Sequence, residues 1–499
     1  MKNTVLLRWN TTIKPWCLPT LFFLVVFLRP GVAETAGLKV TRIAESVVDP
    51  TALVIGGKWG MAINGVSFQQ DAVVSEAGWQ YVAYYDAARH VCVARRKLPD
   101  GAWEVLRLKD YRTRTNDGHN VISMGICPKD GTIHLSFDQH NHVLRYRRSK
   151  KGVSSAPENT VWNADIFGKV YNWLPGGPRR RLGGVCYPRF LKTPGGALQF
   201  FWRSGISGRG DSFMVHYDPA TGKCDNRRHF VSSKGRYDPG EKARAYADKF
   251  REDRCPYFNG FDYGPDGKLH TTWVWREHWD WANRDLMYAY SEDGGKSWRN
   301  NKGERLKRPI GLKSPGVTVA EISESHGLMN QHGQTVDSRG RVHTVMWHCT
   351  EASLKAAGSK PGAKIFGPPK ARRYHHYWRD AKGEWHHTEI DGIAKGRPKI
   401  FTGKEDNLYM IYTDYYGARS KGYEGATGRL VIMGATSKSR WQDWKTLHVE
   451  KGPFVNEMIG DPYRWKSEGV LSVLAQDSPP DPPKRKPTPL RILDFKMQP

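Results

Sequence analysis

Seven short stretches recur every 53 to 73 residues, each a Gly or Asn turn followed by alternating apolar and aromatic side chains. They are Gly78–Tyr85, Gly131–Phe137, Gly196–Trp202, Gly267–Trp273, Gly340–Trp347, Asn407–Tyr412 and Gly469–Leu474. Period-two alternation after a turn is the signature of a strand. A unit of this length holds four short strands, and four-stranded units repeated in a ring make a β-propeller. Seven units predict an all-β, seven-bladed β-propeller. The long helical period that other folds would need is missing; Glu241 to Arg254 is at best a short helix or an inserted loop.

Asp117 to His140 reads as two apolar strands around a Lys129-Asp130-Gly131 turn, a β-hairpin. Paired residues lie equidistant from the turn, so His119 and His140 face each other across the open end. The layout recurs. Tyr187 and Arg203 centre on Gly195, Tyr257 and Arg276 between Asp266 and Gly267, and His332 and His348 on Gly340. If the hairpins are copies of one unit, their open ends gather at one rim lined with His, Tyr and Arg, the candidate site. His134, His270 and His343 each stand three residues after the turn Gly in their own units, and are read as a recurring packing element.

The first 33 residues are set aside from the fold. Lys2, Arg8 and Lys14 form a positive start, Trp16 to Leu28 an apolar run, and Gly31-Val32-Ala33 a small-residue cleavage site, together a signal peptide. The apolar run is short for a spanning helix, and a soluble monomer, secreted or periplasmic and free of the membrane, is expected. Residues 34–477 are assigned to the propeller. From Ser478 the Pro-rich basic segment with Lys484-Arg485-Lys486 is expected to be an extended tail.

Composition narrows the partner. Removing Lys2, Arg8, Lys14 and Arg29 from the formal charge of +27 leaves +23. For an exported chain the matching polyanion is an acidic polysaccharide rather than nucleic acid; a merely solubilising surface is the other reading of the charge. Cys92, Cys127, Cys186, Cys224, Cys255 and Cys349 remain after the leader, with no CxxC pair, and permit disulfides without requiring them. No cofactor is expected. His348-Cys349 and Cys255 have no recognised metal spacing, so any metal is left unassigned.

Ser291, Asp293, Gly295 and Trp298 match the Asp-box, Ser-x-Asp-x-Gly-x-x-Trp, a structural turn between outer blade strands. Together with His119-Asn120, Asp138-Gln139-His140, Gly184 to Arg189, Phe201-Trp202-Arg203, Trp275-Arg276 and Asn283 to Ser291, this pattern resembles the BNR-repeat propellers that include the ulvan lyases and related uronate lyases. The likeness runs from about Val48 to about His348 and more weakly beyond, and departs from the family at His332 after Asn330-Gln331.

The resemblance implies β-elimination of a 4-linked uronate, with His119, His140, Tyr187 and Arg203 on the family's His, His, Tyr and Arg. The chemistry needs those residue types. The C5 proton becomes removable only when the adjacent carboxylate is neutralised, which a bidentate Arg203 can do. His119 suits the base and Tyr187 the acid, a phenol that ordinarily ionises near pH 10, about where free tyrosine does, and that a neighbouring guanidinium would lower; the two roles can be exchanged. His140 would orient or polarise His119, or bind the sugar acid. Asn120, Tyr257, Arg276, His332 and His348 are candidates for substrate contact. Two other functions share the fold: a sialidase- or rhamnosidase-like hydrolase, which lacks a Glu on a mirrored position here, and a non-catalytic acidic-glycan binder, which has no use for a His pair facing a Tyr.

Overall fold

The computed structural model describes residues 37–56, 62–69, 71–235, 253–277, 283–361, 367–416, 427–480 and 485–498. The leader and nearly all of Glu241 to Arg254 lie outside them. The strands form seven antiparallel sheets, four of them four-stranded, arranged as the blades of a propeller. Six of the seven repeats are the second strand of their sheets, Trp79–Tyr85, Thr132–Phe137, Leu269–Arg276, Val342–His348, Leu408–Tyr416 and Val470–Gln476; Leu198–Ile206 is the third of its sheet, because His140–His142 adds an edge strand there.

The repeated glycine has a backbone reason. In the six units that carry it, the turn glycine sits at φ between 65° and 77°, a left-handed conformation that costs a side chain and costs glycine nothing. In the sixth unit, where Asn407 stands instead, Asp406 takes the left-handed place at φ 58°.

The core is a ring of clusters between neighbouring blades rather than one central mass. Trp273, Trp275, Phe230 and Trp298 pack between blades three and four, and Tyr81, Ile122, Leu135 and Phe137 between one and two. Both faces of each second strand are covered, and all seven residues of Trp79–Tyr85 are buried. The Asp-box holds its turn by Ser291 Oγ donating to Asp293 Oδ1 at 2.8 Å and Ser297 N to the same oxygen at 2.7 Å. Its Trp298 stacks on Phe230 with ring centroids 4.2 Å apart. The three recurring histidines are buried and bond a ring on the next strand: His134 with Tyr146, His270 with Tyr288 at 2.8 Å, and His343 with His376 at 3.1 Å.

The ring is closed by the two ends of the folded chain. Lys39–Ala52 pairs antiparallel with Thr488–Gln498, which in turn pairs with Val470–Gln476. The tail expected from Ser478 is therefore corrected: its Thr488–Gln498 is the third strand of the seventh blade. The proline cluster masks a strand pattern in which Leu490, Ile492, Leu493 and Phe495 are buried. The six cysteines outside the leader are free thiols.

A buried polar network locks this last blade to the first. Asp494 pairs with Arg96 and Arg464, both at 2.9 Å, and accepts Ser472 Oγ at 2.6 Å. Arg96 also donates to Gln80 at 2.8 Å, and Gln80 to Asp461 at 3.0 Å. Asp494→Ala leaves the buried Arg96 without its carboxylate and Arg464 with only Glu468, and is expected to cost about 3–5 kcal/mol in denaturant unfolding. A loss below about 1 kcal/mol contradicts the closure role.

Candidate active site

The hairpin that carries the two histidines has the expected register. Ile122 pairs with Phe137 and Cys127 with Thr132, so the ladder centres between Lys129 and Asp130. Beyond it His119 and His140 stack face to face, ring centroids 4.3 Å apart and 16° from parallel. Asp117 joins them: its Oδ1 takes the Nδ1 proton of His119, and its Oδ2 that of His140 at 2.7 Å. Oδ1 also accepts His119 N at 3.0 Å, a local turn that sets the ring's direction.

A carboxylate can only accept, so both Nδ1 atoms carry protons and both Nε2 lone pairs point away from Asp117. Burial would raise the Asp117 carboxyl, but the bonds from His119 and His140 outweigh it and hold it well below the usual range. Burial pushes His119 down to about 4 against the upward pull of Asp117.

The second hairpin departs from simple mirroring. Arg203 pairs with Cys186, and the register shifts between Cys186 and Arg189, so Tyr187 stands in a bulge. Its φ of 50° is a strained conformation for a tyrosine. The bulge turns the phenol back toward the histidines, where its OH donates to His140 Nε2 at 3.3 Å. Arg203 lies with Cζ 4.6 Å from the Tyr187 ring centroid and 5.0 Å from that of Tyr257. Its Nη1 meets Cys255 Sγ at 3.4 Å, while Nε and Nη2 find no acceptor among the described residues. The phenol also departs from expectation: burial, with Tyr257 next, raises it well above 10 despite Arg203.

The remaining candidates divide. Tyr257 lies between Arg203 and Arg276, whose Cζ is 5.6 Å from its ring, and its OH meets Ser207 Oγ at 2.9 Å. Val274 rather than Arg276 is its ladder partner. Asn120 is buried and donates to Asp138 Oδ1 at 2.8 Å, so it braces the hairpin instead of facing substrate. His332 is fully buried, and its Nε2 accepts Trp347 N at 3.2 Å. His348 stacks on His375 at 3.6 Å and bonds Tyr377 OH at 3.0 Å, within the fifth blade. These two are corrected to packing residues; their ladder runs Gly333 to Val345, two residues off the mirrored register.

Three participants were missed in the sequence. Asp117 carried a signal, an Asp two residues before a His in a turn. Phe68 stacks on Tyr187 at 4.6 Å and tilts against His119 at 4.7 Å, with the Arg397 Cζ 4.8 Å from its ring. Both come from segments between blades and carry no local motif. Asp117, His119 and His140 also place ligand atoms within 4.8 Å of one another, a set that can hold a divalent ion, as do Asp380, Glu384 and His386 on an outer hairpin.

The pattern of a BNR repeat-containing family matches residues 79–392, more than half of the chain, and the chain belongs to that family. Among curated proteins, the long isoform of ulvan lyase from Alteromonas sp. (strain LOR) is 21% identical over 439 residues, covering 78% of this chain and 41% of that protein. The chain thus spans about two fifths of that relative's length. Among solved structures, polysaccharide lyase Uly1 superposes with a TM-score of 0.69 at 17% identity, covering 91% of this chain and 99% of that one. An ulvan lyase described as bound to -[GlcA(1-4)Rha3S]- superposes with a TM-score of 0.61 at 12% identity, covering 90% and 95%. Both likenesses confirm the fold.

Imidazole titration by NMR checks the electrostatics. His119 is expected to stay neutral down to about pH 4, and Asp117→Asn to lower that midpoint further by removing the groups that raise it. A midpoint near the ordinary 6.5 contradicts the buried, shared-carboxylate arrangement.

Proposed function

We propose that the chain is a polysaccharide lyase that cleaves a uronate-containing, ulvan-like acidic polysaccharide by β-elimination. The observation that carries this reading is the rim on which Asp117 holds two imidazoles, one of them bonded to Tyr187, with Arg203 against the same tyrosine. The uronate carboxylate meets the unpartnered Nε and Nη2 of Arg203, which stabilise the charge that develops as C5 loses its proton. His119 Nε2 takes that proton, the C5–H electrons form the C4–C5 double bond, and the C4–O4 bond breaks. Tyr187 OH protonates the departing O4, and water then reprotonates the tyrosinate and takes the C5 proton from His119.

The named activities of the relatives point the same way, and the bound unit of the structural neighbour pairs a uronate with a sulfated sugar. A sialidase-like hydrolase would pair its tyrosine with a Glu; the partner here is His140. The leader expected over residues 1–33 supports export, and a monomer in solution completes the proposal.

Elimination, unlike hydrolysis, makes a conjugated unsaturated uronate, so ultraviolet absorbance on a panel of ulvan, glycosaminoglycans, pectate and gums tests the reading. Arg203→Lys keeps the charge and loses the planar fork, and is expected to slow turnover about 10²–10³-fold. Activity within a few fold of the parent removes Arg203 from the mechanism.

The pH profile follows from the two proton carriers. His119 must be neutral and Tyr187 protonated, so kcat/KM is expected to rise through about pH 4 and stay level to about pH 10. An acid limb centred near 6.5 would assign the base elsewhere.

A further inference from the structure

A second chamber lies among the inner strands of the propeller, apart from the candidate rim. It has a volume of about 720 Å³ and is lined by the inner strands of successive blades. Those strands begin at the catalytic rim and end at the opposite face, where exposed Ser338, Lys404 and Lys466 form the mouth. Residues adjacent in the chain serve both. Phe68 packs on His119 and Tyr187 while its neighbour Gln69 lines the chamber, and Arg189 follows Tyr187 by two residues on one strand.

Four of the charged residues that line this chamber alternate in sign from blade to blade. Asp71 precedes the first blade, Arg189 is on the third, Asp262 on the fourth and Lys399 on the sixth. No ion pair joins any two of the four among the described residues. Asp262 Oδ2 takes Gln334 Nε2 at 2.8 Å, and Lys399 Nζ meets the His332 carbonyl at 3.4 Å. Arg189 is 9% exposed, lies with Cζ 5.3 Å from the Phe261 ring, and its Nη1 has no hydrogen-bond partner among the described residues; Gln334 Oε1, on a residue 7% exposed, has none among them either. Burial raises Asp71 to about 7 and lowers Lys399 to about 7, the mark of charges held away from water.

A guanidinium nitrogen and an amide oxygen without partners among the described residues, beside an amine and two carboxylates on the same wall, suit a ligand with an anionic group and several hydroxyl donors. Phe261, Tyr463 and Trp465 add aromatic faces for a sugar ring. We propose that this chamber binds a monomeric sugar acid, its carboxylate on Arg189 and Lys399 and its hydroxyls on Asp71, Asp262 and Gln334. The chamber stands on its own geometry, and the choice of a sugar acid among hydroxylated anions rests on the lyase reading.

Calorimetric titration of the full chain tests this with D-glucuronate, which has no 4-linked leaving group and cannot be turned over. Glucuronate is expected to bind, with D-glucose and acetate each at least about tenfold weaker, because each supplies half of the required chemistry. Arg189→Met and Lys399→Met are each expected to weaken glucuronate about tenfold or more, while Arg203→Ala leaves this binding in place. Should Arg189→Met fail to fold, Lys399→Met carries the same expectation. Binding lost in Arg203→Ala and kept in Lys399→Met puts the sugar acid at the catalytic rim and overturns the chamber while sparing the lyase reading. Acetate or glucose binding as well as glucuronate, or no glucuronate binding, also overturns it.

Discussion

Everything on the candidate rim depends on the pairing of Lys39–Ala52 with Thr488–Gln498. A propeller has no central core to fix the angle between blades; each blade is held only by the apolar layers on its two sides. An open ring would let those angles drift, and residues drawn from several blades would no longer meet. Closure by antiparallel strands from both ends of the folded chain removes that freedom, and the Asp494 network adds directional bonds between the seventh and first blades. The cost of burying these charges is offset by their mutual satisfaction.

On that frame the site is built from two local devices. One is a carboxylate shared between stacked imidazoles, which fixes the tautomer of both and leaves two lone pairs facing outward. The other is the bulge at Tyr187, whose left-handed backbone costs free energy and brings the phenol within reach of His140 rather than leaving it in ladder register. Arg203 and Tyr257 then pack behind it. The result is a hydrogen-bonded chain from Tyr187 through His140 to Asp117, beside a guanidinium whose Nε and Nη2 have no partner among the described residues.

Much of this was legible in the sequence because period-two patterning and turn glycines report backbone geometry directly. All seven repeat strands fell where the repeats put them, and the His119–His140 hairpin kept its register. What failed had physical reasons. Mirror arithmetic assumes an unbroken ladder, so it misplaced Tyr187 by one residue at a bulge and His332 by two. The last strand was hidden by the prolines that precede it. Phe68 and Arg397 arrive from segments between blades, and only the closed ring brings them to the site. The expected fall of the Tyr187 pKa beside Arg203 neglected burial, which dominates.

The central claim is that this rim removes a proton and expels a sugar without water entering the products. Digesting a uronate polysaccharide in water enriched in heavy oxygen, with mass spectrometry of the oligosaccharides, tests it directly. Elimination predicts paired products whose masses sum to that of the parent segment, with no heavy oxygen at the new ends. Heavy oxygen at the cut site, with the mass of one water gained per cleavage, would contradict the account and make the protein a hydrolase.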